Sequence, residues 1–223
     1  MGINGMRYSK NEYMKTGVTG VILAGGQSSR MGSNKALLPY RGGRFIEAIH
    51  HLLSELCDDL LLVTNTPEQY DFLPIRMASD LFPGMGALAG IHAALAHSRT
   101  SHILAVACDM PYLNPSLIRY LMARRDMADI IIPESAHGLE PLHAIYSRTC
   151  LQHAEASLQT GRRRIVSFFD QVSTHVVPFE QVLMLDPENL SFSNINTPQE
   201  YFGLRSAETA QALNRHELRR NVI

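Results

Sequence analysis

The chain has 223 residues, 45% hydrophobic and 18% charged, which is enough apolar material to bury the core of one domain. A formal net charge of -1 and a pI near 6.8 give no field for gripping nucleic acid or an anionic membrane, so any anion selectivity must come from a local pocket. Cys57, Cys108 and Cys150 form no C-x-x-C, no apolar run approaches a membrane span and the amino terminus lacks a signal-peptide core, so free thiols and a cytoplasmic location are expected.

Residues 1–16 are polar and aperiodic and are predicted to form a flexible tail. A first strand is predicted over 18–24, ending in Gly25-Gly26, with Arg30 and Lys35 beyond. Phe45, Ile49, Leu52, Leu53 and Leu56 then share one helical face. Strands follow at 59–64 and 75–78, and Pro83-Gly84-Met85-Gly86 announces a helix over 90–96. A strand at 103–108 leads to Asn114-Pro115, cap and first-turn proline of a helix over 116–122. A strand at 130–133 and a further pair at 142–146 and 174–178 complete the sheet. Thr197, Pro198 and Glu200 have the pattern of a capping box opening a terminal helix. Strand–helix alternation of this kind predicts an α/β fold with three layers, doubly wound around a mostly parallel, Rossmann-like sheet. The folded domain is expected over 17–204, with a polar tail or helix over 205–223.

Ligands of such sheets bind beyond the carboxyl ends of the strands, and Gly25, Asn65, Asp80 and Asp109 all follow predicted strands at that edge. Glycines after a strand let the backbone approach a ligand and aim successive N–H groups at one anion. Arg30 and Lys35 follow within short reach, and their charges suit triphosphate oxygens. The segment matches neither the Walker pattern nor G-x-G-x-x-G.

Asp109 has two readings: a hard oxygen ligand for magnesium on nucleotide phosphates, or a carboxylate capping the turn before Pro111. Lys35 is a candidate to neutralise charge at the α-phosphate. Asp80 and the run from Pro83 to Gly90 offer a turn and a small-residue helix start that could seat a base or sugar, or merely connect strand to helix. Arg162, Arg163 and Arg164 could grip a phosphate on a second substrate, or form a solvated face. His143, in an apolar run, reads as a satisfied core histidine rather than a ligand, and the ten histidines show no zinc spacing. Asn194 and Asn196 exceed what a cap needs, and one of them could reach back to metal or phosphates.

Four motifs in order carry a resemblance: L-A-G-G-x-x-x-R-M-G-x-x-K from Leu23, P-G-x-G-x-L-A-G-I from Pro83, C-D-M-P from Cys108 and N-I-N-T-P-Q-E from Asn194. Together they resemble the molybdenum cofactor guanylyltransferases, from about Gly17 to about Leu204. The resemblance implies transfer of GMP from GTP to molybdopterin or its molybdenum form, releasing pyrophosphate and giving the guanine dinucleotide cofactor. It further implies that Leu23, Ala24, Gly25, Lys35, Asn65, Asp80 and Asp109 contact GTP, that Asp109 also binds Mg2+, and that partners are small molecules with transient contacts to cofactor-biosynthesis proteins and acceptor oxidoreductases. Gly26 and Gly90 join the expected nucleotide set, and Asn196 joins Asp109 as an expected metal ligand. Arg30, Lys35 and Asp109 are the expected catalytic groups, and Arg162–Arg164 the expected pterin grip. Asn34 stands where the family usually has Asp. Cytidine-attaching relatives typically read L-A-A-G, so Gly25-Gly26 favours guanine. The competing expectations are a cytidylyltransferase for the same cofactor, a sugar-phosphate nucleotidyltransferase, and a non-catalytic module that delivers cofactor.

Overall fold

The computed structural model describes residues 16–25, 34–195, 197 and 199–203. Strand β1 (Val18–Leu23) is buried along all six residues, as a strand covered on both faces must be. A short hairpin, β2 (Pro39–Tyr40) and β3 (Gly43–Arg44), precedes helix α1 (Phe45–Leu56). Then come β4 (Asp59–Val63), β5 (Arg76–Ala78), α2 (Ala87–His97), β6 (His102–Ala107) and α3 (Pro115–Met122). The second half holds β7 (Ile130–Ser135), β8 (Gly138–Leu139), β9 (His143–Ser147), α4 (Cys150–Gln159), β10 (Thr174–Val177) and α5 (Phe179–Leu185).

The main sheet runs β10-β7-β9-β6-β1-β4-β5, with β8 paired to β7. β6, β1, β4 and β5 are mutually parallel, and β10 is parallel to β7. β9 is the exception to strand–helix alternation: it lies antiparallel between β6 and β7. The chain returns from β7 to β9 through the tight turn at Gly138 (φ 109°), without the crossover helix that a parallel return needs.

Alternate residues of each strand feed two cores. Val18, Ile22, Leu62, Leu104, Val106, Ile131 and Ile145 face α1, α3 and α5, while Val21, Leu23, Leu61, Ile103, Ala105 and Ile132 face α2 and α4. The expected three layers are present. α1 rests so closely on β1 that a Cβ at Gly20 would meet Leu60 Cδ2 at 2.9 Å, Cys57 Sγ at 3.0 Å and Leu53 Cβ at 3.3 Å. Only glycine fits without repacking.

The expected strands and three helices are present, with ends shifted by a few residues; α2 starts at Ala87, where the positive φ of Gly86 (74°) ends the turn. Both expected caps form: Asn114 Oδ1 accepts from Ser116 N at 2.8 Å, and Thr197 and Glu200 exchange backbone-to-side-chain bonds at 2.9 and 3.2 Å. α4 carries a weak apolar signal, and α5 is apolar but only seven residues long, too short for helical periodicity to register, which is why the pattern passes over them. α4 buries only Cys150, Ala154, Ser157 and Leu158, and α5 only Val182.

Candidate active site

Parallel pairing brings the carboxyl ends of β1, β4, β5 and β6 to one edge. The ladder continues a step past the strands, through Ala24 N to Val63 O (2.9 Å), Thr64 N to Ala78 O (2.9 Å) and Cys108 N to Leu23 O (3.2 Å). Leu23, half-buried Ala24, exposed Gly25, Asn65, Asp80 and Asp109 are thereby set side by side at this rim. Among the described residues, no heavy atom beyond its chain neighbours lies within 4 Å of a Cβ built on Gly25.

Lys35 opens a 3-10 turn (Lys35–Leu37), and its Nζ donates to Asp109 Oδ2 at 3.3 Å. The two side chains are 15% and 18% exposed, so the pair is shielded enough to feel its charge and open enough to meet a ligand. The backbone of the 186–195 segment joins it, because Ile195 N donates to Asp109 O at 3.1 Å.

A second cluster lies across β1. Asn65 Nδ2 donates to Asp80 Oδ2 at 3.0 Å, and Asp80 N donates back to Asn65 Oδ1 at 2.9 Å. Burial raises the Asp80 carboxyl above its ordinary value, against the lowering effect of the Asn65 amide. Gly90 is buried in α2 beside these groups: a Cβ there would meet Leu23 Cδ2 at 3.3 Å and Asp80 Oδ1 at 3.9 Å. Its missing side chain therefore serves close helix–strand packing behind the rim.

Burial pushes the Cys108 thiol to about 12, with the neighbouring Asp109 charge acting in the same direction, so Cys108 is no nucleophile at neutral pH. His143 corrects an expectation. It lies in the core, but neither ring nitrogen has a hydrogen-bond partner among the described residues. Its register opposite Val106 on β6 places it near the same edge, with the Phe192 ring edge-on at 5.2 Å. Burial lowers its pKa to about 4, against an upward pull from Asp186, and the ring is neutral.

Arg162, Arg163 and Arg164 follow α4 and are exposed. α4 starts at the edge opposite Asp109, where Cys150 Sγ donates to Asp129 O at 3.5 Å, and the arginines follow its other end. No described ion pair joins them to Lys35 or Asp109; Arg162 Nη1 donates to Ser167 O at 3.3 Å. Exposed Asn194 lines a cavity of about 470 Å³ with Ser135, His137, Asn189, Phe192 and Glu200. Gly26, Arg30 and Asn196 lie outside the described residues.

Motif reading left out Gln69 and Tyr70. Asn34 Nδ2 donates to Gln69 Oε1 at 2.7 Å and to the Tyr70 hydroxyl at 2.8 Å. Neither partner belongs to any of the four motifs, and the one clue in the chain was the amide at position 34 itself.

The family described as the MobA-like NTP transferase domain matches residues 20–175. A molybdenum cofactor guanylyltransferase of Desulfosudis oleivorans is 38% identical over 195 residues, covering 86% of this chain and 95% of the relative. A probable molybdenum cofactor guanylyltransferase of Pelotomaculum thermopropionicum is 37% identical over 182 residues, 82% of this chain and 89% of the relative. Among solved structures, molybdopterin-guanine dinucleotide biosynthesis protein A of Archaeoglobus fulgidus superposes with a TM-score of 0.73 at 28% identity, covering 87% of this chain and 98% of that one.

Proposed function

This chain belongs to the MobA-like NTP transferase family, and from that premise we propose that it transfers GMP from GTP to molybdopterin, releasing pyrophosphate and forming the molybdopterin guanine dinucleotide. The observation that carries the reading is the Lys35–Asp109 pair, an ammonium and a carboxylate 3.3 Å apart at the strand edge that also bears Gly25.

In this reaction the terminal phosphate of the acceptor attacks the α-phosphorus of GTP, and the bond to the β-phosphate oxygen breaks as pyrophosphate leaves. The attacking phosphate is already ionised near neutral pH, so no side chain has to remove a proton. Both reactants are anions, and alignment and charge neutralisation carry the catalysis. Lys35 supplies an ammonium to the α-phosphate oxygens, where charge grows in the transition state. The amides of Gly25 and Gly26 and the guanidinium of Arg30 hold the triphosphate. Leu23, Ala24 and the Asn65–Asp80 pair seat the nucleoside, with Gly90 keeping α2 close behind them. Arg162, Arg163 and Arg164 hold the pterin substrate from the α4 side.

Nucleotidyltransferases as a class use a divalent metal, and the donor set here fits Mg2+. Among the described residues no group of three or more ligating side chains exists, and Asp109 offers a single hard carboxylate. Magnesium takes one or two protein carboxylates and fills the rest of its shell with phosphates and water. When bound by Asp109, with Asn196 as a second oxygen donor, Mg2+ supplies charge neutralisation on the phosphates. Among the described residues no helix is long and apolar enough to cross a membrane. Transient contacts with cofactor-biosynthesis proteins and acceptor oxidoreductases, and a cytoplasmic location, belong to the same proposal.

Incubation with molybdopterin, Mg2+ and each nucleoside triphosphate in turn tests the reading. GTP should give the guanine dinucleotide and stoichiometric pyrophosphate. Preferred transfer of CMP, or nucleotide binding with no product from any triphosphate, would overturn it.

A further inference from the structure

Asn34 uses every polar atom of its side chain. Oδ1 accepts from Ala36 N at 3.1 Å, capping the 3-10 turn that Lys35 opens. Nδ2 donates both to Gln69 Oε1 at 2.7 Å and to the Tyr70 hydroxyl at 2.8 Å. Tyr70 is 1% exposed and belongs to the 3-10 helix (Pro67–Tyr70) just beyond Asn65, so it is a fixed post. One side chain thus ties the turn bearing Lys35 to the loop bearing Asn65.

We propose that Asn34 is a positioning residue for Lys35, clamped by Tyr70 and Gln69 so that the ammonium stays seated at Asp109. The inference rests on the GMP-transfer reading for its catalytic consequence and on geometry alone for its structural one. A carboxylate at position 34 retains the cap on Ala36 N and accepts from the Tyr70 hydroxyl, so Asp satisfies most of the same contacts. Alanine removes all three bonds and leaves the Tyr70 hydroxyl without this donor.

The test uses the full chain, whose only lysines are Lys10, Lys15 and Lys35. Trinitrobenzenesulfonate labelling, read by peptide mass spectrometry without substrate, compares Lys35 with the other two as internal references. Asn34→Ala should speed Lys35 labelling about 3- to 10-fold and lower kcat about 10- to 100-fold, with KM for GTP within about twofold. Asn34→Asp should restore most of both, and Tyr70→Phe should fall between. Unchanged labelling and kcat in both Asn34→Ala and Tyr70→Phe, or failure of Asn34→Asp to restore either, overturns the proposal. If the unmodified protein makes no dinucleotide while the labelling shift appears, the clamp stands and the GMP-transfer reading falls.

Discussion

At the edge formed by β1, β4, β5 and β6, polar side chains meet partners from other elements: Lys35 with Asp109, Asn65 with Asp80, Asn34 with Gln69 and Tyr70. Around β9 and the 186–195 segment the pattern reverses, and His143, Asn189 Oδ1 and Ser191 Oγ are buried with no partner among the described residues. The order there comes from a hub, the buried Asp186, which accepts from Ser191 N at 2.9 Å and from Asn114 Nδ2 at 3.4 Å. The contrast teaches that the first region is arranged around charge and the second around shape. Parallel strands end in loops at a common edge, and charged groups there are positioned before a ligand arrives. An antiparallel insertion places a side chain against an aromatic ring, where packing holds it and its polar atoms have no partner among the described residues.

The sharpest way to break this contrast is at the charged pair. Lys35→Ala and Asp109→Ala should each lower kcat for GMP transfer by about a hundredfold to a thousandfold, read by pyrophosphate release, with far-ultraviolet circular dichroism unchanged. Turnover near that of the unsubstituted protein in both variants would mean that the pair is structural.

His143 gives the next largest effect. Its folded-state pKa of about 4 lies below the ordinary 6.5, so between these values the unfolded chain binds the extra proton. The stability it contributes is present above pH 6.5 and is lost as pH falls toward 4, by roughly 3 kcal/mol in all. His143→Phe should flatten the slope of unfolding free energy against pH in that window. An unchanged slope would show that the ring carries its proton in the folded protein or finds a partner for it. His50, His92 and His102 are also lowered by burial, so the comparison is made between variant and parent rather than on the parent alone.

The smallest effect is expected beyond α4. Arg163→Ala should raise KM for the pterin substrate several-fold while leaving GTP affinity within twofold, since an exposed cation–phosphate contact is screened by water and salt. Equal losses for both substrates would place this arginine on the nucleotide instead.

Much of the charged region was legible in the chain because its signals are local. A glycine pair after an apolar run, a lone acidic residue before proline and a Thr-Pro-x-Glu cap each occupy a few adjacent positions, and the strands between them carry unbroken apolar runs. The packed region was less legible. α4 and α5 bury few residues, and those of α4 are mostly small or polar, so helical periodicity hardly registers. His143 looked like a satisfied core residue because an apolar run fixes that a side chain is inside, while only its neighbours decide whether its nitrogens are bonded. Gly90 belongs to the motif that starts at Pro83, yet its place behind Leu23 follows from how α2 lies on β1.

By itself, then, the order of residues determined the α/β class, the strand ends that carry the candidate site groups and the kinship with nucleotide-transferring enzymes, because these rest on short-range patterns of burial and turn chemistry. The tertiary structure decided which groups meet: Lys35 with Asp109, 74 positions apart, Asn34 with Tyr70, 36 apart, and the reversed direction of β9. Such pairings depend on strand order and register, and those are settled by packing two cores against one sheet.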